Sequence, residues 1–158
     1  MRKKILTLIF AAIFLCGVFL LLTSDNDMKN VGDVSLICDE DVYELTGVKV
    51  SKRYKDDIEE YDEPLLSDVA DSLISAKKPD NTDDTDSGVK VKYKGLFIDK
   101  EKSDITYKIY DSDFKMLYET DTLNIVFEDA KDYYVSFDVK WGRVKNYVCM
   151  RYFFKLTT

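Results

Sequence analysis

Two of the three cysteines, Cys38 and Cys149, lie outside the apolar N-terminal stretch. In an oxidising compartment two cysteines can form one disulfide. Closing about 110 residues would stabilise the fold by roughly 4 kcal/mol in the chain-entropy model. The residue pattern opposes this pair, because Cys149 shares a strand face with Arg151 whereas Cys38 shares one with Leu36. A disulfide and two free thiols, one of them partly buried, both remain open.

The chain contains no histidine, which excludes Ser-His-Asp and Cys-His catalysis and histidine-ligated metals. Its 30 acidic residues offer many carboxylate pairs for glycoside hydrolysis, and no spacing selects one of them. A Ser-Lys nucleophile likewise has no supporting spacing. We therefore predict no enzyme, no catalytic residues and no cofactor, with a small hydrolase as the weaker alternative.

Two acidic stretches could attract cations, residues 55–63 and the polar loop 77–88. Calcium requires 6–8 converging oxygens. Neither stretch has the register of a calcium loop, and Val91 stands where the loop beginning at Asp80 would need its closing glutamate. We interpret both as solvated charge and predict no metal site. The residues offered as contacts for a cationic partner are Asp56, Asp57, Glu59 and Glu60.

Aromatic residues are concentrated after residue 88. Trp141 continues the apolar face set by Val135, Phe137 and Val139, so we predict that it packs in the core. An exposed aromatic platform for sugars or cell-wall polymer is the alternative. The aromatic residues predicted to be exposed, and therefore to be candidate partner contacts, are Tyr133, Tyr134, Tyr147 and Phe153.

Residues 5–23 contain no charge and are about the minimum length for spanning a bilayer core. Three basic residues precede this stretch and two aspartates follow it. Because basic flanks tend to stay in the cytoplasm, the N-terminus is predicted inside and the rest of the chain outside. The predicted units are a cytoplasmic tip, a transmembrane anchor, a stalk and an extracytoplasmic domain, at 1–4, 5–23, 24–33 and 34–158.

Two other readings of this N-terminal segment are weaker. A cleaved signal peptide has a shorter apolar stretch and small residues before the cut, unlike Leu21-Leu22-Thr23-Ser24. Lipidation at Cys16 would need a small residue before it and a polar chain after it, but Leu15 precedes it and an apolar run follows. We therefore predict an uncleaved anchor in the cell membrane.

Strict alternation of apolar and polar residues dominates the C-terminal half. Such runs start at residues 89, 105, 123, 135 and 148, and turn-forming residues separate them. Apolar spacing of three to four residues predicts one short helix over 65–75, and Asp111-Ser112-Asp113 fits a tight hairpin turn. The fold class is therefore mainly β, an antiparallel sandwich with one short helix.

Residues 132–156, DYYVSFDVKWGRVKNYVCMRYFFKL, resemble the closing hairpin of small exported immunoglobulin-like domains of Gram-positive bacteria. These domains include some that are attached to antibiotic-sensing membrane metallopeptidases. In them, a Tyr-x-Val-x-Val-x-Trp strand enters a glycine-containing turn, and an apolar-aromatic strand ends the domain. The resemblance implies an immunoglobulin-like sandwich outside the membrane, and it implies no catalytic residues.

The charge of the chain limits its partners. The isoelectric point near 4.7 argues against binding nucleic acid, because no basic surface is available for phosphates. We predict a membrane-anchored extracytoplasmic binding module that contacts another membrane protein, a cell-wall component or a cationic peptide. A lipoprotein or a secreted structural factor is the alternative.

Overall fold

The computed structural model describes residues 31–77, 88–98, 105–123 and 131–157. Strands account for 62% of these residues, so the domain is mainly β, as predicted. The predicted cytoplasmic tip and anchor, most of the stalk and most of the loop 77–88 lie outside the described residues. Within the described ranges, no helix has the length and apolar character needed to cross a membrane.

The described residues form ten strands and one short α-helix. The strands are β1 Asp33–Cys38, β2 Asp41–Leu45, β3 Gly47–Tyr54, β4 Asp57–Glu60, β5 Ser75–Lys77, β6 Val89–Lys94, β7 Tyr107–Tyr110, β8 Met116–Thr120, β9 Tyr133–Arg143 and β10 Asn146–Thr157. The helix α1 spans Leu66–Val69 and continues as a 3-10 turn over Ala70–Ser72.

The strands form two sheets. The small sheet has the order β2-β1-β6 and the large sheet has the order β4-β3-β10-β9-β7-β8, with antiparallel neighbours throughout. The short strand β5 adds a parallel pairing to the end of β10, beyond the part that β3 covers. The long hairpin β9–β10 runs from the pair Asn146–Arg143 to the pair Leu156–Tyr133 and carries the centre of the large sheet.

Both sheets contribute to one hydrophobic cluster. In β10 the side chains of Met150, Tyr152, Phe154 and Leu156 belong to this cluster, as the period-two pattern requires. Trp141 is fully buried there, and its Nε1–H donates a hydrogen bond of 2.9 Å to the Tyr152 hydroxyl. The prediction that Trp141 packs in the core is confirmed, and its one polar atom has a partner.

The predicted helix over 65–75 is too long. Helix α1 and its 3-10 extension end at residue 72, and residues 75–77 form β5. The Lys155 amide donates to the Ile74 carbonyl at 2.9 Å, so pairing with β10 replaces the last helical turn. No residue of α1 is buried, and an isolated helix this short has little stability of its own.

The predicted turn at 111–113 is confirmed. Asp111 Oδ1 accepts hydrogen bonds from the amides of Asp113 at 3.0 Å and Lys115 at 2.9 Å, and the turn joins β7 to β8. No alternation predicted β8, because it is an edge strand among the described residues and four of its five side chains are exposed. Apart from Leu123, the alternating run predicted from 123 lies outside the described residues.

Candidate interaction surfaces

The outer face of the large sheet, which points away from the shared core, carries a polar groove of about 200 Å³. Alternation in β9 and β10 places polar side chains here while their neighbours enter the core. The groove is lined by Thr106, Lys108, Ser136, Phe137, Asp138, Lys140, Cys149 and Arg151. Its lining combines three basic side chains with one carboxylate.

Arg151 organises one side of this groove. Its Nε donates to Asp138 Oδ1 at 2.7 Å and its Nη2 to Asp138 Oδ2 at 2.9 Å, which is a bidentate contact between β10 and β9. Its Nη1 donates to Glu63 Oε2 at 2.9 Å, which links the segment that follows β4 to β10. The hydrogen bonds to Asp138, followed by those to Glu63, raise the pKa of the guanidinium above its ordinary value.

The two cysteines, for which a disulfide was one of two possibilities, are both free thiols. Cys38 belongs to the hydrophobic cluster between the sheets, whereas Cys149 faces the outer groove, so the large sheet separates them. The prediction that Cys149 points outward with Arg151 is confirmed, and of the two alternatives left open for the thiols the structure has two free cysteines. Both thiols are buried, whereas the free-thiol alternative expected only one to be partly buried.

Burial, reinforced by the negative charge of Asp138, raises the pKa of the Cys149 thiol from 9.0 to about 11. The thiol is therefore protonated at neutral pH. Since the thiolate is the nucleophilic form, Cys149 is a poor nucleophile in this setting. The groove offers hydrogen-bonding groups and fixed charges.

The acidic contact residues lie together on one edge of the large sheet. Within the described ranges β4 pairs only with β3, and all four of its side chains are exposed. Asp56 is exposed in the turn before it. We call Asp56, Asp57, Glu59 and Glu60 the acidic edge. Glu63, from the same acidic run, turns instead toward Arg151.

Three of the four aromatic residues predicted to be exposed are buried. Tyr133 belongs to the core cluster because β9 starts two residues earlier than predicted, in phase with Val135. Tyr134 packs against Phe114 with ring centroids 5.0 Å apart, and Phe153 is also buried. Tyr147 is half-buried, with the Lys140 ammonium 6.0 Å from its ring centre. For Tyr134 and Phe153, whose side chains lie on the outer face of the sheet, the prediction of exposure fails because that face is partly covered.

Among the described residues, no group of three acidic or cysteine side chains is arranged to hold a metal ion. Most of the loop 77–88, the second acidic stretch, lies outside the described residues.

Comparisons with known proteins identify no relative of this chain. No protein-family model, curated protein or solved structure matches the chain. The resemblance of residues 132–156 to exported immunoglobulin-like domains stays a prediction.

Proposed function

We propose that the chain is a single-pass membrane protein whose described domain lies on the extracytoplasmic side and binds a basic peptide segment along the acidic edge. The anchor part of this proposal rests on residues 5–23, which are uncharged and have basic residues before them and acidic residues after them.

The observation that carries the binding part is the exposure of the acidic edge on an open strand. Asp57, Ile58, Glu59 and Glu60 are all exposed, and on one side β4 has no strand partner among the described residues. An open edge presents a row of backbone donors and acceptors to an incoming strand. An extended peptide can pair with such an edge, and its alternate side chains then select the partner.

Charge gives this edge its selectivity. Carboxylates along a strand attract lysine and arginine side chains and repel acidic ones. The same carboxylates discourage two copies of this chain from pairing through β4, which is a common way of protecting an edge. A basic extended segment therefore fits better than a second copy.

We also propose that the domain is an immunoglobulin-like sandwich. Two antiparallel sheets that share one core support this topology class, and so does the aromatic hairpin β9–β10 at its centre. A binding role is favoured over thiol chemistry because Cys149 is buried with its pKa raised to about 11.

The experiment is a titration of the full chain, held in uncharged detergent micelles, with a peptide that alternates lysine and threonine. Affinity should fall by roughly tenfold or more between low and physiological ionic strength, because exposed charges are screened. The double variant Glu59→Gln, Glu60→Gln should bind more weakly than the parent chain.

The matched control is the double variant Asp39→Asn, Glu40→Gln, which removes the same charge from the exposed turn between β1 and β2. It should bind nearly as well as the parent. Salt-independent affinity, or equal losses in the two double variants, would rule out binding at the acidic edge.

A further inference from the structure

We infer that one end of the described domain is a membrane-contacting surface for anionic lipid headgroups. This end, which we call the basic end, consists of three chain segments, residues 53–55, 94–96 and 143–145. The inference rests on the proposed membrane anchor. It adds the orientation of the domain on the membrane and the chemistry of the lipid that it contacts.

The three segments form one continuous surface. The Gly142 amide donates to the Leu96 carbonyl at 2.9 Å, which joins the β9–β10 turn to the segment after β6. The Lys55 amide donates to the Lys145 carbonyl at 2.7 Å, which joins the same turn to the β3–β4 turn. Three turns that are far apart in sequence therefore meet at one place.

The chain enters the domain at this end. A Cβ atom on Gly32 would overlap the Lys94 carbonyl oxygen and the Trp141 ring. Gly32 is therefore packed closely against Lys94, which belongs to the basic end. Strand β1 then begins at Asp33, opposite Lys94. Only residues 24–32 separate the proposed anchor from β1, and fully extended they would span at most roughly 32 Å. The basic end is therefore the end at which the linker from the proposed anchor joins the domain.

Its side chains have the character of an interfacial surface. Three exposed apolar or aromatic residues project here, with exposed fractions of 56% for Tyr54, 52% for Leu96 and 68% for Val144. The basic residues around them are Arg53, Lys55, Lys94, Arg143 and Lys145. Basic residues beside apolar ones and a tyrosine suit the headgroup region, where charge meets phosphate and the apolar parts enter the acyl boundary.

The charge balance at this end is opposite to that of the whole chain. Among the described residues, the carboxylates beside these five basic residues in sequence or strand pairing are Asp33, Asp56 and Asp57. Asp33 lies 3.7 Å from the Lys94 ammonium, and neither Arg143 nor Lys145 forms an ion pair with any described residue. A net positive end on a chain of net charge −7 points toward an anionic surface.

The opposite end of the small sheet has the reverse character. The turn between β1 and β2 contains Asp39 and Glu40 and is followed by Asp41. It lies roughly 17 Å from Asp33 along the five-residue rise of β1. An anionic membrane would repel this turn while it attracts the basic end, so one orientation of the domain is favoured.

The test places a fluorescent reporter at each end of the full chain in lipid vesicles. In a Cys16→Ala background, Val144→Cys or Glu40→Cys is labelled with an environment-sensitive thiol dye, while buried Cys38 and Cys149 stay unlabelled under native conditions. The vesicles contain brominated lipid as a quencher, and they are either zwitterionic or supplemented with anionic lipid. Leu96→Cys serves as a second reporter from a neighbouring segment.

We expect quenching and a blue-shifted emission at positions 144 and 96 in anionic vesicles, weaker quenching in zwitterionic ones, and none at position 40. Adding Arg143→Glu and Lys145→Glu should remove most of the quenching at position 96 while Trp141 emission stays native. Equal emission at 144 and 40 in anionic vesicles would overturn the inference.

Flotation of the same vesicles separates the two proposals. A chain that floats with the vesicles but shows no quenching at 144 or 96 keeps its anchor and lacks the membrane-contacting end. A chain that does not float contradicts the anchor, and the inference about the basic end is then wrong as well.

Discussion

At the scale of single residues, Arg151 joins three segments of the chain through one side chain. Its side chain is only 16% exposed and makes a bidentate contact with Asp138 in β9 and a further contact with Glu63. Exposed ion pairs contribute little to stability, whereas hydrogen bonds to a charged group contribute about 1.5–3 kcal/mol, and Arg151 makes several of them from a largely buried position while Asp138 stays 39% exposed.

Replacing Arg151 by alanine should therefore lower the free energy of unfolding by about 2 kcal/mol. Lys108→Ala is the control, because Lys108 is a cation on the same face whose contact with Glu119 is longer and more exposed. It should cost under about 0.5 kcal/mol. Urea unfolding followed by Trp141 emission measures both values, and similar costs for the two variants would refute this role of Arg151.

The buried thiols predict how stability changes with pH. Burial raises the pKa of Cys38 and of Cys149 from 9.0 to about 11. The unfolded chain therefore loses these protons first, and the free energy of unfolding should fall as the pH rises from 9 toward 11.

Between pH 9 and 10 the Cys149→Ala variant should lose stability more slowly with pH than the parent chain does, because one of the two titrating thiols is gone. Above pH 10 the buried tyrosines, whose pKa values are also raised, contribute in the same direction. Chemical unfolding at several pH values gives the two slopes. Parallel slopes would show that Cys149 ionises in the folded protein as it does in the unfolded chain.

Whether the surroundings of a residue could be predicted from the sequence depended on how close in sequence its contacts are. The outward direction of Cys149 followed from alternation with its neighbours in β10, and the structure confirms it. The contact between Arg151 and Glu63 spans 88 positions in the sequence and had no local signal. The exposure of Phe153 and Tyr134 was predicted wrongly because the sequence does not show which segments cover an outer sheet face.

At the scale of elements, the Asp111 side chain supports the β7–β8 turn alongside two backbone hydrogen bonds, from the Asp111 amide to the Lys115 carbonyl at 3.0 Å and from the Phe114 amide to the Asp111 carbonyl at 3.1 Å. Asp111 Oδ1 accepts two backbone hydrogen bonds there, and Phe114 in the same turn adopts a positive φ of 61°. Such a carboxylate adds two side-chain hydrogen bonds to the turn backbone, beside the packing of Phe114 against Tyr134.

The Asp111→Ala variant should lose about 1–2 kcal/mol of stability, since two backbone amides lose their acceptor. The matched control Asp113→Ala removes an exposed carboxylate two residues away, for which the structure records no hydrogen bond, and should be nearly neutral. Thermal unfolding compares the two variants. If Asp113→Ala proved as costly as Asp111→Ala, the turn would be held by something other than the Asp111 carboxylate.

Strands were predictable from the sequence where one face is buried and the other is exposed to solvent. The strands β6, β7, β9 and β10 alternate for this reason, and each was predicted close to its observed position. The strands β4 and β8 were missed because almost all their side chains are exposed, which removes the alternation. The helix prediction extended too far because pairing with β10 overrode the apolar spacing at Leu73 and Ile74.

At the scale of the whole molecule, acidic and basic side chains are concentrated on different surfaces. The acidic edge lies along one side of the large sheet, and it meets the basic end, where the chain enters the domain, at the β3–β4 turn. Composition alone predicted an acidic protein and gave no indication of a local basic surface, because the three turns that form it are far apart in sequence. Both proposals place the domain outside the membrane, with residues 5–23 as its proposed anchor.

The most direct test of that claim is thiol labelling of intact cells that produce the full chain with Cys16→Ala and Glu40→Cys. A membrane-impermeant maleimide should label position 40 without permeabilisation, and the intact mass of the membrane-bound protein should include residues 5–23. Labelling only after permeabilisation would place the domain inside the cell. A chain recovered from the medium and starting near residue 24 would contradict the anchor.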